Sequence, residues 1–257
     1  MLLMVYKISN IIHQIWFQGK DNINKEPYKS CYNNCKVKFK KWGWEHIIWD
    51  EKSIDKLFKK YPKYQKIYNS LPMTIQKIDV AKYMIMYHYG GVYVDMDMDC
   101  IKNIRELINP DDEIIVSNMD TNVIYSNGIF FSSPKNNFWT DMMLSISNLD
   151  KYWKDYFPTL YIQITVGNVF FTNFVKNYKG KKRILDYIYL EPCHNKFECN
   201  ITKEAYMIDK LANHWMSSYT QYLIKIYSKR KIIISIILVV SIILFYRNIS
   251  NTNQLDY

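Results

Sequence analysis

The spacing of apolar residues changes abruptly in the middle of the chain. From Gln76 to Tyr89 the apolar positions Ile78, Ala81, Ile85 and Tyr89 recur at three- and four-residue steps, which predicts a helix with one apolar face. Gly90-Gly91 follows, and glycine just past a last turn can take the left-handed conformation that closes a helix. Beyond it the period is two. Val92, Val94, Met96 and Met98 alternate with Tyr93, Asp95, Asp97 and Asp99, which predicts a strand carrying a row of carboxylates on one face. Upstream, Ile11 to Phe17 reads as a strand ended by Gln18-Gly19, Tyr28 to Lys41 as a helix with lysines outward, and Glu45 to Trp49 as a second strand. Ser53 is expected to cap a short helix, Pro62 to interrupt, and Lys63 to Ser70 to form another helix. Downstream, Glu113 to Ser117 and Val123 to Phe131 read as strands, Ser133-Pro134 opens a helix to Ser147, and Thr165 to Tyr178 is a further helix. The order predicts an α/β, Rossmann-like fold.

The carboxylate row is electrostatically costly. Same-face neighbours on a strand stand roughly 7 Å apart, and at an effective dielectric near 20 two such anions repel by about 2 kcal/mol. A divalent cation with oxygen ligands, itself holding phosphates, would answer that charge, and a solvated strand face is the plain alternative. Asp95, Asp97, Asp99 and Glu106 also fall at positions 1, 3, 5 and 12 of a calcium-binding helix–loop–helix. That reading fails locally, because Cys100 stands where the sharp turn needs glycine and Gly90-Gly91 cuts off the incoming helix.

Asp79, Lys82, Tyr83, Gly90-Gly91, Tyr93, Asp95 and Asp97 together resemble the DxD region of retaining glycosyltransferases of the GT-A fold, and family 32 in particular. That family includes mannosyltransferases acting on inositol phosphoceramide and Och1-type initiating mannosyltransferases. The resemblance runs over roughly residues 8–220 and departs from the pattern at Lys82, where the family has Arg. It implies a GT-A domain with a mixed sheet flanked by helices, a nucleoside diphosphate sugar (GDP- or UDP-linked) as donor, a lipid or glycan acceptor, and Mn2+ or Mg2+ as cofactor. It further implies that Asp97 holds the metal, that Asp95 lies against ribose and donor sugar and reaches the cation, and that Asp79 bonds sugar hydroxyls. Lys82 keeps a charge for phosphate or sugar but lacks the planar fork of Arg. His13 to Trp16 stand in the family's first strand, so Trp16 would stack on the base rather than serve as core, whereas His13 reads as a satisfied buried histidine. Asn127, beside Gly128, matches an Asn at the donor or acceptor, with Asn127-Gly128 a bulge or a tight approach to ligand. Thr165-Val166-Gly167-Asn168 replaces a Thr-Gly-Pro turn. Asn213 to Tyr219 resembles His-His-Trp-x-x-Ser-Trp, which makes His214 a third metal or diphosphate contact and Ser218 and Tyr219 a flap over the diphosphate. No residue is assigned as nucleophile.

Composition changes the setting more than the chemistry. The 257 residues carry a net charge of +10, with lysines scattered along the length, so no nucleic-acid surface is indicated and anionic lipid or phosphate explains the sign. Ile232 to Tyr246 is uncharged and apolar on every side; as a helix it spans about 22 Å, a short transmembrane anchor with Lys231 and Arg247 at its ends. The expected division is a catalytic domain over 1–222, a basic juxtamembrane segment over 223–231, a transmembrane helix over 232–246 and a polar tail over 247–257. More lysines and arginines before the span than after it place the domain in the cytosol, with the Golgi lumen as alternative. No secretory signal is evident, so the five cysteines are expected to be reduced; Cys193 and Cys199 are the pair to bridge if the domain is luminal. The other reading is a catalytically silent GT-A module bound to a membrane.

Overall fold

The structure is a computed structural model that describes residues 5–119, 123–146, 151–195, 198–199, 201–214, 216 and 218–222. The chain divides into two compact units, Met1–Trp215 and Met216–Tyr257.

In the first unit a six-stranded sheet is built from β1 (Ile11–Ile15), β2 (Glu45–Trp49), β3 (Gly91–Val94), β5 (Ile114–Asn118), β6 (Tyr125–Ser132) and β7 (Arg183–Leu185), in the order β2-β1-β3-β6-β5-β7. β6 runs against its neighbours β3 and β5, whereas β1 pairs parallel with β2 and β3, and β5 with β7. The sheet is therefore mixed, as expected, with one reversed strand. Two small ribbons accompany it: β4 (Met98–Cys100) with β10 (Met207–Asp209), and β8 (Cys193–Asn195) with β9 (Glu198–Cys199). The helices are α1 (Tyr28–Lys41), α2 (Glu51–Phe58), α3 (Pro62–Ser70), α4 (Thr74–Tyr89), α5 (Asn137–Leu144), α6 (Lys151–Tyr156), α7 (Pro158–Thr165), α8 (Asn168–Asn177) and α9 (Tyr187–Leu190).

Alternation along the strands divides the core in two. Tyr93, Phe130, Ile114 and Val116 face a cluster made with α2, α4, α5 and α8, while Val92, Val94, Ile129, Phe131 and Ile115 face one made with α1 and β4. Helix α4 lies inside the first cluster. Residues 79–86 are all buried, so its apolar stripe extends round most of the circumference and takes Asp79 and Lys82 in with it.

Helix α1 and strand β2 lie where the pattern predicts them, and several other boundaries differ. Asp50, not Ser53, caps α2, with Ser53 three residues in returning the bond to the Asp50 N–H. Pro62 does separate α2 from the next helix, and it is itself the first residue of α3, where its missing N–H costs nothing. The helix expected over 165–178 starts later, at Asn168, because Thr165 ends α7 and Val166-Gly167 separates α7 from α8. Helix α5 starts at Asn137, capped by Asn136, rather than at Ser133-Pro134.

Gly90 and Gly91 have φ of +65° and +88°. With ψ of −154°, Gly90 leaves the helix in a mirror-extended conformation rather than the left-handed helical one, and only glycine adopts it cheaply. A Cβ on Gly90 would stand 2.5 Å from the backbone nitrogen of Pro134, and one on Gly91 would collide with the carbonyl of Ile11. The pair both ends α4 and lets β3 lie tightly against β1.

The reduced state expected for the cysteines does not hold throughout. Cys35 of α1 and Cys100 of β4 form a disulfide, and Cys193 is also disulfide-bonded, with Cys199 opposite it in the β8–β9 register; Cys31 is free and buried. No described helix is long and apolar enough to cross a membrane, and the segments 223–231, 232–246 and 247–257 lie outside the described residues.

His13 is the satisfied core histidine that the sequence suggests. Its Nε2 donates to Gly90 O at 2.9 Å and its Nδ1 accepts from Trp49 Nε1 at 3.1 Å, which fixes a neutral tautomer. Burial pushes its pKa down to about 4, with the backbone bond to Gly90 opposing and His46 adding to the shift. The unfolded chain binds a proton at this site near pH 6.5 and the native one does not. The resulting stabilisation is complete above pH 6.5 and is lost as pH falls toward 4. Thermal melts of wild type and His13→Gln across that interval should therefore converge on the acid side, the wild type losing roughly 3 kcal/mol relative to the variant.

Candidate active site

Strand β3 ends at Val94, and this changes the geometry expected for the carboxylates. The Asp95 N–H still donates to Gly128 O at 2.8 Å, but the chain then turns, with Met98 N donating to Asp95 O at 3.1 Å, and β4 leaves the sheet to pair with β10. The three aspartates do not share one strand face. Asp95 stands at the carboxyl end of β3, Asp97 sits in the turn, and Asp99 on β4 is turned to Asn34 of α1 and to Lys210, 3.3 Å away. Asp99 is a structural residue of the ribbon.

Asp95 faces back to helix α4. Lys82, three residues after Asp79 on that helix, places its Nζ 3.0 Å from Asp79 Oδ1 and 3.0 Å from Asp95 Oδ1, and donates to Asn127 O at 3.2 Å. Tyr93 OH donates to Asp95 Oδ1 at 2.7 Å, and Asn127 Nδ2 reaches Asp79 Oδ1 at 3.4 Å. One buried ammonium thus serves two carboxylates. Burial works against the Lys82 charge, but Asp95 and Asp79 together outweigh it and hold the lysine above its ordinary range. Asp79 has only the shared cation, so burial wins there and raises its pKa to about 6.

Three further carboxylates close round this cluster, two of them unforeseen. Glu191, after α9, is buried and accepts from Ser126 Oγ. Asp209, at the end of β10, accepts from Leu211 N at 2.6 Å. Asp97 accepts from the backbone N–H of Ala212 at 3.0 Å. Burial, followed by the neighbouring acids, raises the pKa of each: Asp97 feels Asp95, Asp209 feels Asp97 and Glu191, and Glu191 is pushed up to about 7. Among the described residues no lysine or arginine forms an ion pair with any of these three. The only signal for Glu191 in the sequence is a lone acid between Leu190 and Pro192, and its partner Ser126 is 65 residues away.

Trp16 stands just beyond β1, bonded through its backbone to Trp49, and its ring lies 5.0 Å from Tyr28. Tyr28 in turn contacts the His214 ring at 5.5 Å, and its hydroxyl meets His214 Nδ1 at 3.0 Å. Burial, Asp97 and Asp95 all raise the Tyr28 pKa, which puts this aromatic run beside the acidic turn. Tyr28 is a further residue that the sequence did not single out. Among the described residues no group of three His, Cys, Asp or Glu side chains is converged for a metal. Asn168, a departure from the expected turn, accepts the Asn127 N–H at 3.0 Å and so positions Asn127. Asn213 has a φ of +51°, a backbone conformation in which Asn is favoured. Ser218 and Tyr219 fall in the second unit, in a helical turn over 218–222, and Trp215 and Ser217 lie outside the described residues.

Residues 25–119 match the family described as "Glycosyltransferase sugar-binding region containing DXD motif", and that span contains Asp79, Lys82, Asp95 and Asp97. Over those residues the chain is similar to the DXD-containing glycosyltransferases. It is 35% identical over 161 residues to inositol phosphoceramide mannosyltransferase 1 of Schizosaccharomyces pombe, covering 61% of this chain and 48% of that one. It is 36% identical over 132 residues to an uncharacterized glycosyltransferase of Acanthamoeba polyphaga mimivirus, covering 49% of this chain and 51% of that one. The chain spans about half the length of these curated relatives. Among solved structures, the PaToxG glycosyltransferase aligns over 65% of this chain and 69% of its own at 18% identity, with a TM-score of 0.46.

Removing one member of the buried ion cluster leaves an uncompensated charge. Lys82→Met should lower unfolding free energy by about 3–5 kcal/mol in urea titrations. Lys82→Met combined with Asp79→Asn should recover part of that loss, because one of the stranded anions is gone.

Proposed function

We propose that the chain is a metal-dependent, retaining hexosyltransferase that moves a sugar, mannose in the first instance, from a nucleoside diphosphate to a hydroxyl of a lipid or glycan acceptor. The observation that carries this reading is the unequal charge at the carboxyl ends of β1 and β3. Asp79 and Asp95 share Lys82, whereas among the described residues no lysine or arginine forms an ion pair with Asp97 beside them.

The donor set fits Mn2+ or Mg2+. Carboxylate oxygens are the hard ligands such ions take, and ions of this kind are commonly held by one or two protein carboxylates plus substrate phosphates rather than by a full protein cage. Two carboxylates, Asp95 and Asp97, therefore suffice without a third converged side chain. When bound, the metal supplies Lewis-acid stabilisation of the diphosphate that departs.

The protein's own residues have separable tasks. Lys82 fixes Asp95 and Asp79, so both carboxylates are oriented before ligand arrives. Asp79, held by Lys82 and Asn127 through one oxygen, presents the other to sugar hydroxyls. Trp16 offers its face to the base, at the sheet edge where open α/β folds bind nucleotides. Tyr28 holds the His214 ring beside the diphosphate position. Retention follows from the family resemblance and assigns no base.

Membrane attachment through 232–246 remains part of the proposal. The Cys35–Cys100 disulfide favours an oxidising compartment for the catalytic unit, against the cytosolic side expected from flanking charge.

The full chain in detergent, given Mn2+ and a panel of UDP- and GDP-sugars, should release nucleoside diphosphate from one of them. Asp97→Asn should reduce that rate on the order of 100-fold. Turnover insensitive to Asp97→Asn counts against the proposal, and metal-dependent nucleotide binding without turnover of any donor favours the silent module.

A further inference from the structure

Strand β1 is buried from Ile12 onward, and a parallel strand covered on both faces ordinarily reads as an apolar run. His13 and Gln14 break that run. His13 is answered by Gly90 and Trp49, whereas Gln14, also fully buried, directs its amide at the turn that follows β3. The backbone register between β1 and β3 covers two pairs, Ile12 with Val92 and His13 with Tyr93. Beyond them a side chain makes the link: Gln14 Nε2 donates to Asp95 O at 3.2 Å. The same carbonyl accepts Met98 N at 3.1 Å and so closes the turn that carries Asp97, while the Asp95 N–H is held by Gly128 O of β6. Asp95 is thus fixed from both strands that flank β3, from β6 through backbone and from β1 through Gln14.

The amide has a defined orientation. A carbonyl oxygen only accepts, so the nitrogen of Gln14 must face Asp95 and its Oε1 must face His46, whose Nε2 lies 2.8 Å away. His46 is the diagonal neighbour of Gln14 on β2, two residues before its register partner Ile48 and on the same face of the sheet. Tyr32 and Phe39 of α1 pack on its ring, with centroids at 5.9 and 5.2 Å. Burial, with Lys36 adding to it, lowers the His46 pKa to about 4, so the ring is neutral and its one N–H is the Nε2 proton donated to Gln14. Stability alone does not call for this pair. Replacing both partners of a buried hydrogen bond by apolar groups of similar shape is close to neutral, and Asp95 O would still accept from Met98 N.

Resting on the transferase reading, in which Asp95 and Asp97 hold metal and diphosphate, we infer that Gln14 is a positioning residue: braced by His46, it fixes the carbonyl of Asp95 and with it the spacing of the two carboxylates. It acts through the backbone of Asp95, not on the donor itself.

The double variant Gln14→Met/His46→Phe separates this role from packing. For the full chain in detergent, calorimetry with GDP and with UDP, each in Mn2+ and in EDTA, gives the factor by which metal tightens nucleotide binding, and a thermal melt gives stability. The double variant should melt close to wild type, bind nucleotide in EDTA within about twofold of it, and lose about tenfold of the Mn2+ enhancement, the lower end of what partners supporting metal ligands contribute. His46→Phe alone leaves the amide present but unbraced and should lose about threefold of the same factor. It gives the reading if the double variant does not fold. Full Mn2+ enhancement in both variants, or a loss equally large in EDTA, makes Gln14 a packing residue and leaves the transferase reading intact. Wild type that binds neither nucleotide more tightly in Mn2+ than in EDTA removes the transferase reading, and the positioning role with it.

Discussion

A single buried ammonium group organises the centre of the molecule. Lys82 cannot be charged alone inside α4, and Asp79 cannot be ionised there alone, so each makes the other possible, and Asp95 joins them from the end of β3. The cluster connects helix, sheet and site through one set of short contacts. It also explains why α4, which would otherwise be an ordinary core helix, keeps two ionisable residues inward. Because Lys82 is occupied by two anions, little of its charge is left to answer Asp97, Glu191 and Asp209, whose pKa values burial and the neighbouring acids raise.

The lysine at position 82 takes on a physical meaning in this setting. An ammonium is a compact point charge with three donors, and here the three go to Asp79, Asp95 and the carbonyl of Asn127. A fork would have reached farther and held two oxygens of one partner. The lysine instead draws two different elements toward one point, and Asn168 takes over the task of fixing Asn127 from behind.

Much of the framework could be read from the sequence because it is locally determined. Helix α1, strand β2 and the Gly90-Gly91 break depend on residues a few positions apart. The acidic strand was misjudged because its continuation is decided by β10, more than a hundred residues later, which draws Met98–Cys100 out of the main sheet and carries Asp99 away from the pocket. Alternation alone cannot register such a partner. Pro62 and Ser53 were assigned to the wrong side of their helix starts, a difference that capping geometry settles and composition does not. In the site, residues held by helix-and-strand spacing, Asp79, Lys82 and Asp95, were visible. Glu191, Asp209 and Tyr28 depend on tertiary approach, and no local pattern announces them.

The covalent link between α1 and β4 has a wider effect than joining two elements. Its two ends are 65 residues apart, and the ring it closes contains β2, α2, α3, α4 and β3, hence Asp79, Lys82, Asp95 and Asp97 together. Closing a ring of that size removes chain entropy from the unfolded state worth about 4 kcal/mol in the simplest polymer treatment. Asp95 and Asp97, which repel each other, therefore sit in a loop that cannot open fully, and a thiol-rich environment would release that restraint beside them.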